Sequence, residues 1–269
     1  MSVRSVVDPV VVEKLALARV LRVDPKDIEY LDAAPAGDIR DLRLQIMELI
    51  TSANAAGMQR IASISTIIPP AIAARIAVRS GSSLFAARMA VAMDAARAAE
   101  VGRRLPVTML ADIAMDLDPG TGATLIGGLP DDLLVDVVAE LSVREKWLTL
   151  AEFAEQEFSE TQFDAVVKGL SPIALLRSGH LIYKEEVLRR LVRRMPRPTI
   201  DTLFDAAATH DAWAELLHTV EAMDQDAGTY ARQTAARLAP PIRARAAAAK
   251  AAEGLADSYR LFDEKVSGA

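Results

Sequence analysis

The chain contains no cysteine among its 269 residues, which excludes disulfide bonds, thiolate zinc sites and cysteine nucleophiles. Aromatic residues are also scarce, at 4% of the chain. The alternation of Val, Ile, Thr and Tyr that is typical of half-buried strands is rare. Because much of the apolar content is alanine, the best helix former, we expect an all-α protein.

Positively charged residues are also fewer than negatively charged ones: the chain has 31 Lys and Arg and 37 Asp and Glu, which gives a formal net charge of −6. This balance opposes non-specific binding to nucleic acid, which draws its affinity from cations on phosphates. The most apolar segment, residues 61–78, is interrupted by two prolines and an arginine, so it is too broken to cross a bilayer. Since the N-terminus has no apolar signal core, we expect a cytoplasmic protein with no membrane insertion.

What the chain does contain is an internal repeat of about 24 residues. Pro106 and Pro130 occupy the same position in two successive repeats, and a shift of the same length aligns Asp94 with Asp118. A period of this size is typical of repeat proteins, in which each unit stacks on the next because it is too small to bury its own apolar face. We predict a right-handed superhelical array of short antiparallel helix pairs, with helical caps at both ends.

The clarity of the repeat divides the chain into four predicted segments. They are an N-terminal helical segment (1–66), regular repeats (67–141), degenerate repeats (142–239) and a C-terminal Ala-rich helix or tail (240–269).

Local signals predict individual helices. Within one repeat we expect a helix over Val107–Asp116 and a second that begins at Asp118-Pro119 and ends near Gly127-Gly128. In the N-terminal segment, an Asp-Pro pair at 24–25 predicts a helix start, and a longer helix is expected over residues 39–66. Residues 242–262 are expected to form the C-terminal helix. Glu or Gln three residues downstream predicts capping-box helix starts at three positions: Ser142, Thr149 and Ser159.

Leu-Pro and Leu-Asp-Pro motifs alternate with short predicted acidic helices between residues 105 and 141. The motifs are Leu105-Pro106, Leu110-Ala111-Asp112, Leu117-Asp118-Pro119, Leu129-Pro130-Asp131-Asp132 and Val135-Asp136-Val137-Val138. In these motifs the chain resembles the cytosolic N-terminal domain of MgtE magnesium transporters and, similarly, the middle region of the flagellar motor-switch protein FliG. The resemblance covers roughly residues 69–141 and implies a helical-repeat fold. The sequence has no counterpart of the nucleotide-binding CBS pair or the membrane region of those transporters.

Acidic residues stand at helical spacing in the same repeats. Asp112 and Asp116 are four residues apart, as are Asp132 and Asp136, so each pair shares a helix face. Mg²⁺ takes oxygen ligands, and the transporter resemblance implies that these aspartates bind it weakly. The alternative is a solvated acidic face, with acids placed favourably near helix N-termini.

Positive charge is concentrated in one short run. Its arginines are Arg189, Arg190, Arg193 and Arg194, followed by Arg197. On a helix they form two adjacent i, i+4 pairs, which suit the phosphate or carboxylate groups of an acidic partner. Two preceding glutamates can pair with the first arginines and weaken the effect. No nucleic-acid-binding motif accompanies the run, so we do not expect a nucleic-acid partner.

No catalytic constellation or cofactor motif is visible in the sequence. The histidines at 180, 210 and 218 lack the His-Glu-x-x-His spacing, although 210 and 218 would nearly share a face if one helix continued through both. The Gly-Thr-Gly at 120 lacks the remainder of a phosphate-binding loop. We therefore expect no enzyme activity and no required cofactor.

Three functions stay open at this point. The first is a non-enzymatic protein-interaction or scaffold module built on the repeats. The second is a module that responds to Mg²⁺, and the third is a site for an apolar small molecule or lipid between the helix layers, where Met and Ala leave adaptable space. A second copy of the chain is a further candidate partner, through the face of the C-terminal helix that carries Leu255, Tyr259 and Phe262.

Overall fold

The computed structural model describes residues 8–52, 68–156 and 159–252. In these residues the protein is all-helical, with sixteen α-helices, one 3-10 helix and no strand, which confirms the predicted class. The chain divides into two compact units: Pro9–Leu170, and Ser171–Ala269 together with Met1–Asp8. The four segments derived from the sequence stay a prediction.

The first unit begins with two helices that enclose a small core of their own. Helix α1 (Pro9–Leu21) and helix α2 (Ala36–Ser52) pack together, with the 3-10 helix Pro25–Ala33 between them in sequence. Their core contains Leu17, Ala18, Ile28 and Ile39.

The predicted start at Asp24 is confirmed, since its carboxylate accepts from the Lys26 amide. Helix α2 begins three residues earlier than expected, and the predicted extension over 53–66 lies outside the described residues.

From residue 68 onwards, the described residues of the first unit form a run of eight short helices. They are α3 (Pro70–Ser80), α4 (Ser83–Ala92), α5 (Ala95–Gly102), α6 (Val107–Asp116), α7 (Pro119–Gly127), α8 (Asp131–Val143), α9 (Trp147–Ala154) and α10 (Glu160–Gly169). Helices α6 and α7 have the bounds expected from the repeat. Helices α4, α6 and α8 begin 24 residues apart, as the period predicts.

Each helix from α3 to α8 contacts the helix two positions further along the chain. Thus α3, α5, α7 and α9 pack in succession, and α4, α6, α8 and α10 do the same. The run therefore forms two layers, and its core lies between them, built on residues such as Ala87, Ala111, Ile113 and Leu141. Alanine at these positions lets neighbouring helices approach closely, which suits helices too short to be stable alone.

Side-chain caps define several of the helix starts. The Asp94 carboxylate accepts hydrogen bonds from the amides of Ala96 and Arg97 at 3.1 and 3.2 Å, and the Ser82 hydroxyl accepts from the Phe85 amide at 3.2 Å. Each such bond satisfies an amide that the helix itself leaves without a partner.

Of the three predicted capping boxes, only the start at Ser159 is correct, because its hydroxyl accepts from the Gln162 amide at 3.3 Å. Ser142 instead lies inside α8, where its hydroxyl donates to the Val138 carbonyl oxygen at 2.8 Å. Thr149 lies inside α9 and is buried. Both are corrections to the sequence prediction: the same spacing of Ser or Thr and Glu also occurs within helices, where the hydroxyl has another partner.

We expect Asp94→Ala to lower the free energy of unfolding of the first unit by about 1 kcal/mol, because two amides at the start of α5 lose their acceptor. Asp94→Asn keeps a capping oxygen and is the matched control, with little expected change. Urea denaturation followed by circular dichroism measures both. Equal losses in the two variants would contradict the capping role.

The second unit holds six α-helices among its described residues. They are α11 (Pro172–His180), α12 (Glu185–Arg193), α13 (Arg197–His210), α14 (Trp213–Glu221), α15 (Gln225–Arg237) and α16 (Pro240–Ala252). Helix α11 packs on α13 and α14, α13 packs on α15, and α14 packs on α16. Phe204 and Trp213 are among its largest fully buried side chains.

Helix α16 begins two residues before the expected position 242. The face with Leu255, Tyr259 and Phe262, and with it the predicted dimer contact, lies outside the described residues.

Candidate functional site

The predicted arginine run lies on α12 and at the start of α13, and the packing of α12 determines where its side chains point. Val187, Leu188, Leu191 and Val192 are all buried, so they form the inner face of the helix. The arginines interleave with these residues and are therefore directed to the flanks and the outer face.

Three of the five arginines form the outward part of the run, and we call Arg189, Arg193 and Arg197 the arginine surface. Arg193 and Arg197 are exposed, and the Arg189 side chain keeps 40% of its surface accessible. Arg190 and Arg194 are half-buried. The five arginines predicted as one site thus differ in exposure.

Neighbouring groups hold two of the three side chains in place. Arg189 Nε donates to Glu185 Oε1 at 2.7 Å, as the i, i+4 spacing suggested, so this pair is partly neutralised. The Arg197 guanidinium lies over the Tyr230 ring, with its carbon 5.8 Å from the ring centroid. Of the three side chains, Arg189 is therefore the one with a carboxylate hydrogen-bonded to it.

Asp201 anchors the tyrosine beneath Arg197. Its carboxylate accepts from the Tyr230 hydroxyl at 2.6 Å and from the Thr234 hydroxyl at 2.7 Å. These hydrogen bonds, that of Tyr230 first, lower the pKa of Asp201, and the bond to Asp201 raises the pKa of Tyr230. The sequence offered no signal for this contact, because Asp201 and Tyr230 lie on different helices.

The first predicted aspartate pair is engaged with cations and hydroxyls. Asp112 Oδ1 accepts from Arg144 Nη1 at 2.6 Å. Asp116 accepts from the Ser83 hydroxyl at 2.6 Å, and its other oxygen lies 3.5 Å from Arg22 Nη2. These contacts bridge α6 to its neighbours.

The second aspartate pair lies on α8, where Asp132 and Asp136 are exposed. Asp132 Oδ1 accepts from the Leu133 amide at 2.9 Å. Within the described part of the chain, no three His, Cys, Asp or Glu side chains are grouped so that they could hold a metal ion. The four aspartates therefore do not form one cluster, and Mg²⁺ binding stays a prediction.

Two histidines meet inside the second unit. The rings of His180 and His218 pack edge to face with centroids 5.6 Å apart, and His218 Nε2 lies 3.3 Å from the Ile182 carbonyl oxygen. Burial lowers the pKa of His218 to about 4, and burial, with the nearby Arg177 charge, lowers the pKa of His180. His210 ends α13 and is exposed, so it does not share a helix with His218.

A group of buried charges in the first unit joins α1, α2 and α9. Arg43 donates to Glu13 Oε2 from Nε at 3.2 Å and from Nη2 at 2.9 Å, and both residues are buried. On the other side, Arg19 donates to Thr149 Oγ1 at 3.1 Å and to Glu152 Oε2 at 2.5 Å.

Burial raises the pKa of Glu152, and the charge of Arg19 opposes that shift. Sequence reasoning missed this cluster, since its members are up to 133 residues apart.

Comparisons with known proteins identify no relative: no family model, no curated protein and no solved structure matches this chain. None of the helices in the described residues combines the length and the apolar character that a membrane span requires.

Proposed function

We propose that this protein is a non-enzymatic interaction module, and that its arginine surface binds an acidic segment of a protein partner. The observation that carries the proposal is the outward display of Arg189, Arg193 and Arg197 on a chain of net charge −6. A positively charged surface on a protein of net negative charge favours a negatively charged partner, because the charges of the two surfaces are then complementary.

Arginine is suited to this role. Its planar guanidinium presents donors in a fork that matches a carboxylate, and it retains its charge at any physiological pH. Arg197 is further oriented by the Tyr230 ring, which Asp201 holds from behind. A side chain oriented before binding loses less conformational freedom when the partner arrives.

The proposal extends to the architecture of the first unit. The contacts between alternate helices from α3 to α10, with starts 24 residues apart at α4, α6 and α8, support a superhelical repeat array of the kind that the MgtE resemblance implies. Such arrays serve as binding surfaces. We further propose that this array is right-handed and that the protein is cytoplasmic.

The test is charge reversal at the arginine surface. We expect the triple variant Arg189→Glu, Arg193→Glu, Arg197→Glu to bind a fluorescent oligoglutamate peptide at least tenfold more weakly in low salt, because three attractions become repulsions. Fluorescence anisotropy measures the affinity. The wild-type affinity should itself fall as salt is added.

A matched control exists in the same unit. Arg232, Arg243 and Arg245 are also exposed, and replacing all three by Glu changes the net charge by the same amount. We expect this control triple to bind the peptide nearly as the wild type does. If both triples lose affinity equally, the effect is one of total charge and the arginine surface is not the site.

A further inference from the structure

The first unit encloses a cavity between its two helix layers. Its volume is about 80 Å³, and it is partly open to solvent. The seventeen residues that line it come from α5 to α10 and their connections, and all of them are Ala, Gly, Val, Leu, Ile or Phe. They include Leu110, Leu134, Val137, Leu141 and Phe153.

Small residues keep this space open. Ala98 and Gly102 line the cavity on α5, and Ala114 does so on α6, where larger side chains would fill it. Gly122 lies against the far wall: a Cβ there would come within 3.0 Å of the Phe153 ring. A side chain at residue 122 would therefore force the Phe153 ring to move by a few tenths of an ångström.

The lining determines what the cavity can hold. Its described lining residues offer no side-chain donor or acceptor, so a polar molecule would lose its hydrogen bonds to water on entry. Water is disfavoured for the same reason, since ordered buried waters make about three hydrogen bonds. An apolar molecule, by contrast, would gain contact with walls that otherwise face a void.

From these features we infer that the cavity is a binding site for the end of an unbranched hydrocarbon chain. An engineered cavity of about 150 Å³ binds benzene, and the present one is about half that size, so a chain end fits better than a ring. The partial opening lets the remainder of the chain and any polar head stay outside. This site is separate from the arginine surface, which belongs to the other unit.

The direct test is titration with decanol, a neutral chain with a minimal head, followed by isothermal calorimetry. We expect saturable binding with a negative heat-capacity change, the mark of apolar burial. Ala98→Leu fills the cavity and should weaken binding at least tenfold. Ala96→Leu adds the same side chain on the exposed side of α5 and should leave the affinity unchanged.

A second pair of variants tests the cavity independently, in case Ala98→Leu does not fold. Val137→Thr keeps the volume of a lining side chain but adds a hydroxyl, and it should weaken decanol binding severalfold. Val143→Thr is its control on the same helix, at a side chain that is 80% exposed. Absence of saturable decanol binding to the wild type overturns the inference, as does equal binding by Ala98→Leu and Ala96→Leu when both are folded.

Two further probes separate the sources of such a chain. Decanoate represents a free fatty acid, and vesicles of dilauroylphosphatidylcholine represent a membrane lipid. Competition with decanol by either one identifies the source and supports the site. If decanoate binds but decanol does not, the affinity comes from the carboxylate and not from the hydrocarbon chain, and the inference is overturned.

Discussion

Arg43→Ala is expected to lower the free energy of unfolding of the first unit by about 3–5 kcal/mol, the effect of removing one partner of a buried ion pair. The Glu13 side chain is only 4% exposed and accepts two hydrogen bonds from Arg43. Arg40 also lies beside this carboxylate, with Nη1 3.8 Å from Glu13 Oε1. In the variant the buried carboxylate would lose both bonds from Arg43, and α1 and α2 would lose the charge pair that joins them.

Two controls separate burial from charge. Asp32→Ala breaks an ion pair with Lys14 in which Asp32 is 55% exposed, and we expect a loss below about 1 kcal/mol. Replacing Glu13 and Arg43 together by Met removes both charges and should recover most of the lost stability. Urea denaturation followed by circular dichroism compares the four proteins. A loss for Arg43→Ala no larger than that for Asp32→Ala would show that the pair is not stabilised by its burial.

The second unit is expected to lose up to about 3 kcal/mol of stability as the pH falls from 6.5 to 4, because His218 is held neutral in the folded protein. Burial lowers the pKa of His218 to about 4, whereas an unfolded histidine titrates near 6.5. The unfolded state therefore binds a proton first on acidification. The stabilisation is complete above pH 6.5 and is lost progressively towards pH 4.

His180 contributes in the same direction, since its pKa is also lowered by burial and by Arg177. Its Nδ1 is buried and has no hydrogen-bond partner among the described residues, so no acceptor there favours the protonated ring. Arg177 also lies 3.5 Å from Glu215, which offsets part of its charge. The two rings touch, so a charge on either one would also oppose protonation of the other.

The measurement uses fluorescence of the buried Trp213, in a Trp147→Phe background so that only the second unit reports. Unfolding free energies of the wild type and of His218→Gln are compared at each pH, because the carboxylates titrate equally in both. The difference should shrink by about 3 kcal/mol between pH 6.5 and 4. A pH profile for His218→Gln that runs parallel to that of the wild type would contradict the assignment.

The regular part of the fold was accessible from the sequence because its signals are local. An apolar period, a proline at the first turn and a glycine at the end predicted α6 and α7 with the bounds that the structure has. Asp24 and Ser159, two of the predicted starts, act on amides two or three residues away, so a short window contains both partners.

The same local reasoning failed where another contact competed. Thr149 has the spacing of a capping residue, but it is buried inside α9 and accepts a hydrogen bond from Arg19, 130 residues earlier in the chain. Ser142 donates to a carbonyl of its own helix. A pattern of four residues contains no information about which distant side chain will reach it.

Taken by itself, the sequence determined the helical class, the 24-residue period and the positions of α6 and α7, since propensity, capping and apolar spacing act within about one turn. Only the tertiary structure decided which arginines face outwards, that His218 meets His180, and that Glu13 is buried against Arg43. It also decided that a stack of alanine-rich helices leaves an apolar cavity. These features depend on how whole helices pack, where side chains far apart in the chain compete for the same space and the same partners.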